Sequence, residues 1–243
     1  MTRAAPRFHV PMALSPGAEI ELPERAARHV AVLRLRQGDA VTLFNGGGGE
    51  FAAELIRVSK DAARARLGPG RTIERESPLA ITLAQCVSSG DRMDVTLQKS
   101  TELGVARIVP LASERSIVRL SQERADRRVV HWRGVVIAAC EQCGRNRVPD
   151  VEAIMDLDTF LEGAKDDALR LLLAPDAAQD LKTLDPARAV TLLVGPEGGL
   201  SPGEWQRAEA RGFVPVRFGP RVLRTETAPL AVVAAMQALW GDC

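Results

Sequence analysis

Residues 191–229 read TLLVGPEGGLSPGEWQRAEARGFVPVRFGPRVLRTETAP, and this stretch decides the expected fold. The run 191–194 is short, apolar and rich in branched side chains, which is typical of a buried strand. The sequence GPEGG at 195–199 follows at once. The Gly-Pro pair at 195–196 and the Gly-Gly pair at 198–199 cannot continue a strand, so the chain must turn tightly there.

A helix and a second strand follow this turn. Ser201 suits a helix N-cap, Pro202 suits the first helical position, and Glu204 lies where a capping box needs it. A strand at 214–218 then ends in another Gly-Pro pair at 219–220. Two glycine-bearing loops therefore leave the ends of nearby strands, which is where open α/β sheets bind small ligands.

The two loops carry few but distinctive side chains. Glu197 is the only bulky charged residue in 195–199, so a ligand can lie against bare backbone N–H and C=O groups. Residues 224–227 read RTET and place a cation, an anion and two hydroxyls between apolar segments. Such groups are costly near a core unless they are paired or used. Ordinary turns and a simple Arg224–Glu226 ion pair are the structural alternatives.

Composition bounds the function classes. The chain has 243 residues, 46% hydrophobic and 26% charged, as in an ordinary globular protein. Its apolar runs are too short for a membrane span, and its first residues lack the apolar core of a signal peptide, so we expect the cytoplasm. Cys140 and Cys143 form a lone CxxC, and with three histidines in the chain we predict no metal site.

Charge is unevenly distributed although the net charge is only +1. Residues 1–75 hold twelve Lys and Arg against eight Asp and Glu, whereas the remainder holds twenty against twenty-three. A basic first part on a mildly acidic body suits contacts with phosphates. Solvated surface arginines explain the same numbers.

The chain divides into a β-rich first part and an alternating second part. A helix after Pro23, a hairpin of 40–44 with 50–58, and a strand at 62–67 are expected first. The four glycines at the hairpin tip are no nucleotide loop, since no Lys-Ser/Thr follows and a strand comes next. Gly-Pro-Gly at 68–70 and the charged run 71–76 place a boundary between Gly68 and Pro78, and we assign domains of 1–72 and 73–243.

Strands and helices alternate in the second part. Strands are expected at 79–85, 107–111, 169–174, 191–194 and 214–218. Helices are expected at 91–103, 121–143 and about 229–240. Such alternation predicts a largely parallel sheet covered by helices, an α/β fold.

The segments GPEGGLSPGEW at 195–205 and GPRVLRTETAPLAV at 219–232 closely resemble the RsmE-type ribosomal RNA uridine-N3 methyltransferases of the SPOUT superfamily. The segment RHVAVLRLRQGDAVTLFNGGGGEF at 28–51 is similar to the PUA-like RNA-binding domain of that family. The resemblance implies a C-terminal trefoil knot, a homodimer, S-adenosylmethionine (SAM) as methyl donor, and 16S rRNA, within the 30S particle, as partner. Physics of the sequence alone would not propose a knot.

The same resemblance implies the residues that bind the donor. They belong to two strand ends and to the two glycine-bearing loops: Leu172, Leu173, Val194, Gly195, Pro196, Glu197, Gly198, Gly199, Leu200, Val222, Leu223, Arg224, Thr225, Thr227 and Ala228.

Catalytic and RNA-binding residues are predicted as well. Methylation of uracil N3 requires loss of its proton or stabilisation of its anion, and Arg224 is the first candidate for the stabilising cation. Glu226 or Glu197 could serve as base if burial raised its pKa. Gln142 could read the uracil edge. Six arginines are expected to hold phosphates: Arg7, Arg25, Arg28, Arg34, Arg36 and Arg145.

Three other functions fit parts of the pattern. A related SPOUT enzyme acting on tRNA or on a 2′-hydroxyl would share the donor site and differ in acceptor. A non-catalytic RNA-binding assembly factor would use the basic first domain but leave the GPEGG and LRTETA segments without a task. A nucleotide-dependent enzyme of the doubly wound type is disfavoured, since GxGxxG and GxxxxGK[ST] motifs are missing from the sequence.

Overall fold

The structure is a computed structural model, and it describes residues 5–116, 121–163 and 168–243. Arg3, one of the basic residues counted above, lies outside the described residues. Within the described ranges, no helix combines the length and the apolar character needed to cross a membrane.

The chain forms two compact units. The first joins Met1–Glu76 to Cys140–Val148, and the second joins Ser77–Ala139 to Pro149–Cys243. The expected division after residue 72 differs from this arrangement, because it gave 140–148 entirely to the second domain. The hydrogen bonds described below explain why this segment belongs to the first unit.

The first unit is a five-stranded sheet with one helix. Its elements are β1 (Arg7–His9), β2 (Glu19–Glu21), α1 (Glu24–Val32), β3 (Ala40–Phe44), β4 (Glu50–Val58) and β5 (Ala63–Arg71). The strand order is β1-β3-β4-β5-β2, with β1 parallel to β3 and the other pairs antiparallel. The predicted hairpin is confirmed at both of its strands. The three-residue β2 was not predicted, because it is too short to show a pattern.

Strand β5 is longer than predicted, and the presumed linker at 68–70 is part of it. Gly70 pairs with Phe51 of β4, whereas β2 pairs with β5 only through residues 64–66. Pro69 therefore lies where β5 has become an edge strand, and its missing N–H costs no ladder hydrogen bond. Residues 68–70 therefore continue the strand, and the first segment of this unit ends a few residues later, at Glu76, in the charged run that follows.

An apolar core joins helix α1 to this sheet. Ala26, Ala27 and Val30 form the buried face of the helix. They pack in one cluster with strand residues that include Phe8 and Leu55. Burial of this face fixes the helix on the sheet and leaves its polar side to solvent.

A network of charged and polar side chains holds segment 140–148 in the first unit. The Arg7 guanidinium donates to Glu50 at 2.5 Å and to the Asn146 side-chain oxygen at 2.6 Å. Arg145 is 3% exposed and pairs with Glu76 through Nε at 3.0 Å. These bonds satisfy charges that would be costly to bury alone.

The four-glycine tip of the hairpin contacts the same segment. The backbone N–H of Gly48 donates to the Asn146 carbonyl at 3.2 Å, and that of Val148 donates to the Gly46 carbonyl at 3.3 Å. Gly48 has φ of +107°, and a Cβ there would lie 2.5 Å from a Glu74 oxygen. The tip is rich in glycine because Gly46, Gly48 and Gly49 all have positive φ, a conformation that favours glycine.

The second unit is an eight-stranded sheet covered by helices. Its elements are β6 (Ala80–Cys86), α2 (Arg92–Glu102), β7 (Arg107–Ala112), α3 (Gln122–Cys143, whose last residues belong to the first unit), β8 (Asp150–Val151), β9 (Met155–Asp156), α4 (Leu157–Glu162), β10 (Leu169–Leu173), β11 (Gln179–Asp180), β12 (Ala189–Val194), α5 (Pro202–Ala210), β13 (Val214–Arg217) and α6 (Thr227–Trp240). The strand order is β11-β13-β10-β12-β6-β7-β8, with β9 on β7, and every pair of these strands is parallel.

The predicted parallel α/β architecture is confirmed, as are all five predicted strands and the helices between them. Five elements of the second unit were not predicted, namely β8, β9, β11, α4 and a 3-10 helix at Leu181–Thr183. Three of them are two-residue strands and α4 has six residues. Such lengths are too short for hydrophobic periodicity to indicate them.

Helix α6 is fixed against α2 and the start of β6 by one buried glutamine. Gln237 donates to the Leu103 carbonyl at 2.8 Å and accepts from the Ser77 hydroxyl at 2.7 Å. Gly104 ends α2 with φ of +85°, and a Cβ there would lie 2.7 Å from the Gln237 amide. The position of the last helix is thus specified by hydrogen bonds as well as by apolar packing. The trefoil knot stays a prediction.

The Glu50 carboxylate gives the first unit a testable pH dependence. Burial alone would raise the pKa of Glu50, but hydrogen bonds from Arg7 and Asn146 and the charge of Arg7 hold that pKa below its ordinary value. Its stabilising effect is therefore complete above about pH 4.5, the ordinary value, and is lost as the pH falls through the lower pKa of the folded state.

Glu50→Gln should lower the free energy of unfolding by roughly 2 kcal/mol at neutral pH, and this loss should shrink below about pH 4.5. Calorimetric melting across this pH range measures the difference from the wild type. Glu54→Gln, an exposed glutamate on the same strand, is the matched control and should change little. An equal loss at every pH would contradict this assignment.

Candidate functional site

A cleft of about 320 Å³ lies at the carboxyl ends of three neighbouring strands, β13, β10 and β12. The segment 174–176 follows β10, the loop 195–200 follows β12, and the loop 218–226 follows β13. Parallel strands deliver their carboxyl ends to one edge of the sheet, so the three segments converge there. The volume is within the range of sites for small ligands.

The structure brings twelve of the fifteen predicted donor-binding residues to this cleft. They are Leu172, Leu173, Val194, Gly195, Pro196, Glu197, Gly199, Leu200, Val222, Leu223, Thr225 and Ala228. Gly198 and Arg224, which belong to the same loops, and Thr227, the first residue of α6, are outside the cleft lining formed by the described residues.

Seven further lining residues were missed by sequence reasoning: Ala174, Pro175, Asp176, Trp205, Phe218, Gly219 and Arg221. Asp176 follows β10, and Trp205 lies on α5. The position of Asp176 depends on β10 lying between β12 and β13, which no local pattern indicates. Gly219 and Arg221 could have been predicted from the sequence, since they belong to the GPRVLRTET segment at 219–227.

The glycine-rich loop is held in a compact turn. A Cβ on Gly195 would lie 3.2 Å from the Leu200 nitrogen, so the two backbone segments need glycine there. Gly199 has φ of +68°, a conformation that favours glycine. The capping box predicted at Ser201 and Glu204 is confirmed and fixes the start of α5 directly after the loop.

Two side chains from other segments also hold this loop. The Thr225 hydroxyl donates to the Gly195 carbonyl at 3.3 Å, which joins the loop after β13 to the loop after β12. Arg115 donates to the Gly198 carbonyl at 3.0 Å and to the Leu200 carbonyl at 3.4 Å. These bonds fix the shape of the cleft wall.

The polar residues at the cleft differ in environment. Burial alone would raise the pKa of Glu197, but hydrogen bonds from Ser89 and Arg92 hold it below its ordinary value, so Glu197 is a carboxylate and a weak base at neutral pH. Arg224 is exposed, and the described residues include no Arg224–Glu226 ion pair. Glu226 instead lies 3.8 Å from Arg92.

The predicted RNA-binding arginines fall into two groups. Arg25, Arg28, Arg34 and Arg36 are exposed on or just after α1. The side chains of Arg7 and Arg145 are only 14% and 4% exposed and pair with Glu50 and Glu76, so the structure does not favour the phosphate contacts predicted for them. Gln142 is exposed near the end of α3, in the segment that belongs to the first unit.

The arrangement suits a ligand with a flat apolar part and several polar groups. Leu172, Leu200 and Leu223 offer apolar contact, and the glycines leave backbone groups accessible. Asp176 and Arg221 add one charge of each sign. The described residues contain no group of three or more His, Cys, Asp or Glu that could hold a metal ion.

Two protein-family models match the chain. A model described as an RNA methyltransferase domain matches residues 75–237, and one described as an RNA methyltransferase PUA domain matches residues 22–68. Ribosomal RNA small subunit methyltransferase E of Buchnera aphidicola subsp. Schizaphis graminum is 31% identical over 244 residues, covering 100% of this chain and 99% of the relative.

Two solved structures are similar over nearly the whole chain. Ribosomal RNA small subunit methyltransferase E from Neisseria gonorrhoeae, bound to S-adenosyl methionine, is 48% identical with a TM-score of 0.95, covering 98% of this chain and 99% of that one. A putative methyltransferase from Legionella pneumophila, in complex with bound SAM, is 41% identical with a TM-score of 0.96, covering 99% and 100%.

Proposed function

This chain belongs to the ribosomal RNA small subunit methyltransferase E family, and we propose that it methylates N3 of a uridine in 16S rRNA with SAM as donor. Family membership gives the reaction class, the donor and small-subunit rRNA as the acceptor. The observation that most supports a SAM-binding site is the cleft at the ends of β10, β12 and β13. What we propose beyond family membership is the acceptor atom, N3 of a uridine.

The residues of the cleft fit SAM. Leu172, Leu200 and Leu223 would contact the adenine, whose edge carries hydrogen-bonding groups that the backbone near Gly195 can meet. Asp176 can accept hydrogen bonds from hydroxyl or ammonium groups, and Arg221 can pair with a carboxylate. Bound there, SAM supplies an electrophilic methyl group on a sulfonium.

The chain must then promote loss of the uracil N3 proton. Arg224 is exposed between Leu223 and Thr225, which both line the cleft, so its guanidinium can stabilise negative charge on the uracil oxygens. Glu226 is poorly placed as the base, because its Oε2 is buried and lies toward Arg92. Arg224 would thus stabilise the anion that remains once the N3 proton is lost, and a bound SAM would supply the methyl group to that nitrogen and leave as a neutral thioether.

The first unit would bind the RNA. Exposed arginines on and after α1 can neutralise phosphates and orient the uridine. We assign Arg7 and Arg145 a structural role, since each is held by a carboxylate of the same unit. Gln142 is kept as a candidate for reading the uracil edge.

The proposed substrate supports a place in the cell, and the surface of α6 supports an assembly. A substrate within the 30S particle places the enzyme in the cytoplasm, where ribosomes are assembled. A homodimer is supported by α6, which has no charged residue and leaves Leu239 51% exposed, next to α2 with Val95 42% exposed. Exposed apolar side chains on packed helices suit a second copy of the chain.

Labelled SAM tests the reaction with 30S particles and with free rRNA as acceptors. The wild type should produce 3-methyluridine, identified by mass spectrometry of the nucleosides. Arg224→Ala should lower kcat by roughly a hundredfold or more while the Kd for SAM changes by less than about threefold. Arg211→Ala, an exposed arginine of the same unit, is the control. Methylation of a ribose hydroxyl or of tRNA instead would contradict the proposed acceptor.

Salt dependence tests the RNA surface. The double variant Arg28→Gln with Arg36→Gln should bind rRNA more weakly. The slope of log K against log salt should flatten by about 1.4, because roughly 0.7 is lost per contact to single-stranded RNA. Arg124→Gln with Arg127→Gln, two exposed arginines of α3, should leave the slope unchanged. An unaltered slope in the first double variant would contradict the proposal that α1 binds RNA.

A further inference from the structure

Arg92 connects the two loops that form the cleft, although it does not line the cleft itself. It is the first residue of α2. Its Nη1 donates to Glu197 at 2.8 Å, and its Nε lies 3.8 Å from the Glu226 carboxylate. Glu197 belongs to the loop after β12, and Glu226 ends the loop after β13. One guanidinium thus faces a carboxylate from each loop.

Glu197 is the better bonded of the two carboxylates. Its Oε1 accepts hydrogen bonds from the Ser89 N–H at 3.0 Å, the Ser89 hydroxyl at 2.9 Å and Arg92. Arg92 also donates to that hydroxyl at 3.2 Å. Ser89 precedes α2, so the loop after β6 and the glycine-rich loop are joined at a single oxygen.

The Glu226 carboxylate depends on Arg92 for charge compensation more strongly than Glu197 does. Its Oε2 is buried and has no hydrogen-bond partner in the described part of the chain. A distance of 3.8 Å is too long for a hydrogen bond but close enough for charge attraction, which solvent screens in part at the half-exposed Arg92 and which the burial of the Glu226 Oε2 strengthens. Without the Arg92 cation, the Glu226 charge would be left uncompensated, and the loop after β13 would shift toward solvent.

We propose that Arg92 is a positioning residue that sets the affinity of the cleft for SAM by holding its two loops together. It acts through Glu197 and Glu226 and does not touch the donor. An arginine at a helix N-terminus opposes the helix dipole, and the two carboxylates offset this cost. The inference rests on the proposed function, because it takes SAM as the ligand of the cleft.

A lysine cannot replace this arginine fully. Nε and Nη1 of one planar guanidinium face Glu226 and Glu197 separately, whereas an ammonium is a single point of charge. Arg92→Lys should therefore keep the contact with one carboxylate only. Its affinity for SAM should lie between those of the wild type and of Arg92→Met.

The experiment compares Arg92→Met with Arg107→Met. Arg107 is the first residue of β7 in the same unit. Its side chain is 45% exposed, as that of Arg92 is, and it pairs with Glu152. Calorimetric titration should show the Kd for SAM raised roughly ten- to a hundredfold by Arg92→Met and unchanged by Arg107→Met. In steady-state assays the KM for SAM should rise in parallel, while the KM for rRNA stays within about twofold.

Melting temperatures separate positioning from general destabilisation. Wild-type affinity for SAM in folded Arg92→Met would overturn the proposal, as would a KM for rRNA that rises as much as the KM for SAM. If Arg92→Met does not fold, Arg92→Lys decides, since wild-type affinity in that variant contradicts the need for two contacts. Failure of the wild type to bind SAM at all would instead refute the proposed function.

Discussion

The site depends on backbone that is free of side chains at the ends of three adjacent parallel strands. β13, β10 and β12 are neighbours in the sheet, so their following segments must meet at one edge. A side chain at position 195 would press against the Leu200 backbone within the same loop, and a residue other than glycine at 199 would be strained by the positive φ there. The glycines therefore create the space, and hydrogen bonds from Thr225 and Arg115 keep it open in one shape.

Much of this site was predictable because its determinants are local. Gly-Pro pairs, an N-cap serine and a glutamate three residues later act over a few positions, and the structure has these features where the sequence indicates them. Asp176 and Arg92 could not be found in the same way. Each contributes through the sheet order or through a contact with a distant loop, and the residues around Arg92 in SSGDRMDV have no pattern that marks them.

The first unit shows the limit of counting charges. The sequence presents twelve basic residues in 1–75, but it does not distinguish Arg7, which pairs with Glu50, from Arg28, which is exposed. The glycine tip at 46–49 and the segment 140–148 are a second example. They are about a hundred residues apart in the sequence, so their backbone contacts depend on long-range folding. Gly-Pro-Gly at 68–70 shows the opposite case, since pairing with β4 keeps in a strand residues whose local pattern favours a turn.

The account depends most on the position of the donor. A crystal structure of the chain with SAM measures it directly, without mutation or RNA. We expect the adenine between Leu172, Leu200 and Leu223, with the methionine part near Asp176 and Arg221. SAM bound away from the loops 195–200 and 218–226 would contradict the central claim.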